Sequence, residues 1–173
     1  MISAGATEAR AVTVKAATTA GLMQQPTSHY YLFSYGAEAE VQSDSEGAIL
    51  RLQYIERPEF RTMGFRDKDY GGFVLAGTKL GKEKSRGLYA FIGLGQMAGY
   101  TKSVAGAPGI SRPETRYYAL NGPTASLEYL AHLGPVDLAI GHQTFVGFVD
   151  KDEMQAYVAW PYNFFSASMG FRW

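Results

Sequence analysis

The chain of 173 residues contains no cysteine. Disulfides, thiolate zinc sites, iron–sulfur clusters and cysteine catalysis are thereby excluded. There is no excess of charge of one sign either: 16 Lys and Arg balance 16 Asp and Glu. Neutralising phosphates requires a basic surplus or stripe, so no nucleic-acid partner is expected. Charged residues amount to 18%, below the roughly 25% of an average soluble domain. Long apolar runs are also missing. The longest, Leu88–Leu94, is interrupted by Gly93 and falls far short of the roughly 18 residues a spanning helix needs. No helical periodicity of useful length is present. Met1-Ile2-Ser3-Ala4-Gly5 does not read as the start of a secretory signal. The chain is therefore expected either to stay inside the cell or to be a mature chain with an added start methionine.

What is present is aromatic and alternating. Apolar residues make up 46%, with 12 Tyr, 10 Phe and 20 Gly, so the chain as a whole is not intrinsically disordered. Apolar side chains recur at i, i+2 and i+4, the period of a strand with two unlike faces. Eight strands are predicted, near 11–19, 30–42, 48–57, 70–80, 87–101, 116–130, 136–148 and 154–173, with residues 1–10 expected to be disordered. In the second, Tyr31, Phe33, Tyr35, Ala37, Ala39 and Val41 oppose Ser34, Gly36, Glu38 and Glu40. In the third, Leu50, Leu52 and Tyr54 oppose Arg51 and Gln53. In the sixth, Ala125, Leu127 and Tyr129 oppose Thr124, Ser126 and Glu128; in the seventh, Val136, Leu138 and Ile140 oppose Asp137, Ala139 and Gln143. The fourth and fifth are glycine-rich, and their inner face stays open.

Connections after strands two, four and six are short (43–47, 81–86, 131–135), whereas those after one, three and five are longer (20–29, 58–69, 102–115). Short turns at one end and long loops at the other describe a single all-β domain, residues 1–173, folded as an antiparallel up-and-down eight-stranded barrel. The barrel is either soluble, with its apolar face inside, or transmembrane, with that face outside. Packing this many aromatic rings inside eight strands would overfill the core, which favours the transmembrane form. Glu38, Glu40, Arg51, Glu128 and Arg172 then share the inner face and are expected to form a charge network that plugs the lumen.

The last strand places Phe165, Ala167, Met169, Phe171 and Trp173 on one face and ends on the tryptophan. This ending resembles the C-terminal signal that Gram-negative outer-membrane barrels present to their assembly machinery. The resemblance implies an outer-membrane location, contact with outer-membrane lipid or lipopolysaccharide, and engagement of the barrel assembly machinery through Phe165, Met169, Phe171 and Trp173. A monomer is expected. Gln24-Gln25-Pro26, His29-Tyr30, Gly87-Leu88-Tyr89-Ala90 and Gly134-Pro135-Val136 are similar to segments of the lipid A palmitoyltransferase, another eight-stranded barrel. Where that family carries its catalytic His and Asp-Ser pair, this chain reads Glu40-Val41 and Gly95-Gln96.

His142 shares the phase of Val136, Leu138 and Ile140, an unusual place for an imidazole. His142-Gln143-Thr144 resembles the His-x-Ser pair of the lipid A 3-O-deacylase barrels, with Glu153 (or Asp152) as the acid. That resemblance implies a hydroxyl activated by an imidazole and oriented by a carboxylate. Thr stands where that family has Ser, and Phe145 where it commonly has Asn. The plainer reading places His142 near the outer headgroup zone, where polar residues cost little. Pro123 and Pro161 fall inside strands, from which proline is usually excluded. They are expected to mark bulges; the alternative is a lateral gap for lipid. His29 before a strand and His132 in a turn show no metal-ligand spacing with His142, so no metal and no cofactor are expected. Gly93 and Gly95 lie within a strand, so they do not form a dinucleotide fingerprint and are expected to make room for large interior neighbours.

The sequence thus points to a non-enzymatic outer-membrane barrel with a structural, adhesive or minor permeation role. A lipid A acyl hydrolase or acyltransferase and a soluble ligand-binding barrel stand as alternatives.

Overall fold

Strict alternation gives each strand two faces, and the computed structural model shows where each points. It describes residues 12–24, 31–43, 47–61, 64–83, 85–103, 114–149 and 158–173. The strands are β1 (Val12–Gln24), β2 (Tyr31–Ser43), β3 (Ala48–Arg61), β4 (Phe65–Leu80), β5 (Arg86–Ser103), β6 (Thr115–Leu133), β7 (Val136–Val149) and β8 (Val158–Arg172). Each pairs antiparallel with the next, and β8 returns to β1 to close a barrel. The last residue completes the seam: Val14 and Trp173 exchange backbone N–H to C=O bonds of 3.0 Å. Following ladder partners from Thr13 through Gln42, Ile49, Gly77, Phe91, Ser126, Gln143 and Phe164 returns to β1 at Met23, ten residues further on. That stagger tilts the strands and sets a narrow barrel whose interior side chains can fill it.

The short connections lie at the seam end, where Val14 meets Trp173. The tightest is Gly134-Pro135 between β6 and β7, where Gly134 has φ 65°, a left-handed conformation that a side chain disfavours. At the opposite end the strands run further than the sequence suggests. β1 continues to Gln24, β3 to Arg61, and β4 begins at Phe65 rather than 70. The expected loop 58–69 is therefore mostly strand. Pro58 does not end β3, because a register shift between Arg57 and Phe60 absorbs it and pairing resumes at Phe60–Asp67 and Arg61–Arg66. Pro123 and Pro161 behave differently from expectation, since neither is a bulge. Pro123 pairs with Leu94 and Pro161 with Val146 in unbroken register. Among the described residues each proline lacks a ladder partner on its other side: the β7 ladder skips Gly122-Pro123 between Asn121–Phe148 and Thr124–Phe145, and the β1 ladder stops at Asn163 before Pro161, as suits a residue without an N–H. On the outer face Pro123 lines a shallow groove with Leu94, Ala125 and Val146. The expectations for residues 1–10, for 154–157 and for Glu153 and Asp152 fall outside the described residues.

The apolar phases read from β2, β3, β6 and β7 point outward: Phe33, Tyr35, Leu50, Leu52, Tyr54, Leu127, Tyr129 and Ile140 are all exposed. So are Ile92 and Leu94 of β5 and Val74 of β4, which settles the faces left open. An apolar exterior of this kind is that of a transmembrane barrel, and it sets aside the soluble alternative. The interior departs from expectation in one respect: it is not only charged. Phe73, Leu75, Phe91, Phe145, Tyr162, Phe164, Met23, Met97 and Leu120 are buried in one cluster. Phe73 meets Phe145 and Phe164 edge to face, with centroids 5.5 and 6.0 Å apart. Glycines supply the room. A Cβ on Gly95 would overlap the Phe73 ring, and one on Gly77 would overlap Phe91, each closer than 3.0 Å.

Candidate functional site

Inward-facing positions come at every second residue of eight tilted strands, so the lumen is filled in layers. The central layer is ionic. Arg51 of β3 is 1% exposed. Its Nε and Nη2 lie 2.8 and 2.6 Å from Glu40 Oε1, and Nη2 donates to Glu128 Oε2 at 2.7 Å while Nη1 donates to Glu128 Oε1. Glu38 Oε2 lies 3.7 Å from Arg51 Nε, and Glu38 also accepts from Gln53. Lys15 of β1 reaches Glu40 at 3.0 Å, and Ser126 donates to Glu128 at 2.9 Å. The guanidinium lies 3.9 Å over the Phe91 ring, a cation–π contact in a desolvated setting. Charges taken this far from water persist only when each carboxylate has a donor.

The structure brings Glu38, Glu40, Arg51 and Glu128 together and leaves Arg172 out. Arg172 belongs to a second cluster at the seam end, donating to Gly134 O at 3.1 Å and lying 3.8 Å from Asp137. The reason is register. Arg172 pairs with Lys15 on β1, and the stagger lowers it to the rim while Lys15 turns toward Glu40. The same cluster contains His132, which is not a turn residue but the inward end of β6. Its Nδ1 lies 2.7 Å from buried Asp137, and its Nε2 lies 3.2 Å from the Tyr89 hydroxyl.

Above the ionic layer sits the aromatic one, and above that a third polar group. Arg57, 1% exposed, donates to Asp69 at 2.6 Å and lies 3.5 Å from Asp67. Local signals do not reveal this group: a loop over residues 58–69, as the sequence predicts, separates Arg57 from both carboxylates. Lys15 stands between Val14 and Ala16 in the sequence, and nothing in that pattern announces its partner.

The outer face carries the other candidates. His142 and Thr144 both point outward from β7. The His142 ring packs against Phe165, with centroids 4.5 Å apart. Thr144 donates its hydroxyl to Asn163 at 3.1 Å, and no hydrogen bond joins it to His142 among the described residues. Phe165, Met169, Phe171 and Trp173 all face outward and are exposed.

No protein-family model matches the chain, and no curated protein matches it. Solved structures do. A major outer membrane protein from Thermus thermophilus aligns with a TM-score of 0.63 at 9% identity, covering 94% of this chain and 100% of that one. The N-terminal β-barrel domain of Pseudomonas aeruginosa OprF aligns at 0.59 and 12%, covering 93% and 97%. Ail, the attachment invasion locus protein of Yersinia pestis, aligns at 0.55 and 10%, covering 94% and 97%. The chain has the fold of small eight-stranded outer-membrane barrels, and the bacterial outer-membrane location expected from its sequence agrees with that fold and with its apolar exterior.

Proposed function

We propose that this chain is an integral, monomeric outer-membrane barrel that does not conduct and that serves a structural or adhesive role. The filled lumen carries the reading. The Arg51 layer and the Phe73, Phe145, Phe164 layer lie one above the other, so an ion would have to displace both a buried salt-bridge network and a packed aromatic cluster. The likeness to Ail, whose name is attachment invasion locus protein, supports an adhesive role exercised at the loop end, where β5 and β6 are longest. The test is reconstitution in planar bilayers. The expected result is no steady ionic conductance from the folded barrel; a large steady conductance would replace the structural role with a pore.

The lipid A acyl hydrolase reading rests on His142 and Thr144 sharing the outward face. Against it, the Thr144 hydroxyl is engaged by Asn163 and the imidazole is packed on Phe165 midway along β7, which supports a packing role in the outer wall.

A further inference from the structure

At the loop end, β3 to β6 carry an outward patch with an unusual arrangement of charge. Arg61 pairs in register with Arg66 across β3 and β4, and Arg66 pairs with Lys102 across β4 and β5. Three cations therefore stand side by side across three strands. Like charges directly opposite each other destabilise a sheet, so an isolated barrel gains nothing from this row. Part of the neighbouring charge is already balanced. Glu59 accepts from Arg61 at 2.7 Å and from the Tyr100 hydroxyl at 2.8 Å, and Glu56 holds Lys68 at 2.6 Å. Among the described residues, Arg66 and Lys102 form no ion pair.

Two aromatic rings adjoin the row. Tyr100 pairs with Lys68 on one side and with Tyr117 on the other, and the two tyrosine rings lie 6.2 Å apart. Tyr117 is 80% exposed. Outward side chains two residues apart share a face, so Tyr100 and Lys102 stand together, as do Lys68 and Arg66. The patch lies beyond the apolar band, on the loop side of Tyr70. In a membrane-embedded barrel that is the depth of outer-leaflet headgroups. Cations recognise phosphate, Arg with a fork of donors and Lys as a point charge. The exposed Tyr117, with half-buried Tyr100 beside it, offers a flat apolar face to sugar rings.

We propose that Arg66, Lys102 and Arg61, with Tyr100 and Tyr117, form a docking surface for the phosphorylated saccharide headgroup of an outer-leaflet glycolipid. The proposal rests on the membrane-barrel reading above and adds the class of lipid it engages. The row of like charges is then neutralised in place by the ligand's phosphates, and the barrel gains a preferred azimuth toward that lipid.

The test uses the whole chain refolded into phosphatidylcholine vesicles, with β-structure checked by circular dichroism. Failure to insert and fold there would overturn the membrane reading itself. Binding is then measured with three probes: purified lipopolysaccharide, the same lipopolysaccharide after enzymatic dephosphorylation, and phosphatidylglycerol. The expected result is preferential binding of the phosphorylated lipopolysaccharide, weakened by salt. Arg66→Gln with Lys102→Gln should weaken it roughly tenfold, the scale of losing two exposed charge contacts. Lys82→Gln, which removes a cation at the opposite end, should leave it unchanged. Equal binding of the dephosphorylated probe, equal binding of phosphatidylglycerol, or unchanged binding by the folded double variant would each overturn the proposal while leaving the barrel reading intact.

Discussion

Replacing Arg51 by methionine isolates the contribution of charge to the stability of the lumen. Methionine retains a long flexible stem able to cover Phe91, so little cavity forms and the packing loss is small. What disappears is the donor set. Glu40 and Glu128 lose their closest contacts and Glu38 its nearest cation, leaving Lys15 alone against three buried carboxylates. Removing one partner from a buried ion pair costs about 3–5 kcal/mol, because the remaining charge stays desolvated. The cation–π contact with Phe91 adds up to about 2 kcal/mol where it is desolvated. Against a total stability of about 5–15 kcal/mol for a typical domain, Arg51→Met should shift urea unfolding in detergent micelles to a markedly lower midpoint. Adding Glu128→Gln to that variant neutralises one orphaned carboxylate, and it should restore about 1–2 kcal/mol. In the wild-type background the same change should destabilise, since it weakens the bidentate contact with Arg51. A change of sign between the two backgrounds is the signature of the network. If Arg51→Met lies within about 1 kcal/mol of wild type, below the cost of orphaning a buried charge, or if Glu128→Gln destabilises equally in both backgrounds, the carboxylates are solvated and the lumen is not a dry plug.

Gly95→Val should lower the unfolding midpoint by the equivalent of about 1–3 kcal/mol, because its Cβ would overlap the Phe73 ring; an unchanged midpoint would show that the aromatic layer is loose. Deleting Trp173 removes two ladder bonds to Val14, worth about 1–3 kcal/mol together, so refolding into detergent should survive. In cells, however, immunoblots of the outer-membrane fraction should show a clear loss, and unchanged levels would contradict the proposed assembly signal. His142→Ala should leave the lipid A mass spectrum of expressing cells as it is with the wild-type chain. Loss or transfer of an acyl group that depends on His142 would reverse the non-enzymatic reading.

The fold was legible wherever one face of a strand is small or polar throughout. In β2 the inward residues are Ser34, Gly36, Glu38 and Glu40, so period-2 alternation assigns its outer face directly. In β4 and β5 it does not. Phe73 and Leu75 point in while Val74 points out, and Phe91 points in while Ile92 points out. Bulk on both faces erases the contrast on which alternation depends, and the glycines that relieve the crowding weaken it further. The expected loop 58–69 differs from the observed strands for a related reason. Pro58 reads locally as a strand breaker, but one shifted residue accommodates it, and the ladder beyond is held by Phe60–Asp67 and Arg61–Arg66, a pairing that no local signal carries.

The site was legible as a set of charges on one face, but not as a set of layers. Alternation tells which side of the wall a residue occupies; height depends on the stagger, which only closure of the barrel fixes. Arg51 and Arg172 illustrate the difference. Both follow the inner phase, yet one sits among three carboxylates and the other at the rim beside Asp137 and the Gly134 carbonyl. The aromatic layer was missed on the same grounds. Phe164 and Phe165 are adjacent, one entering the lumen cluster and the other meeting Tyr31 and His142 outside. A chain that places aromatics on both sides of one strand uses the inner ones to fill its lumen and the outer ones to meet lipid. The inner set therefore bears on conduction and the outer set on membrane contact, so Phe164→Ala should loosen the plug without changing the lipid-facing surface, whereas Phe165→Ala should do the reverse.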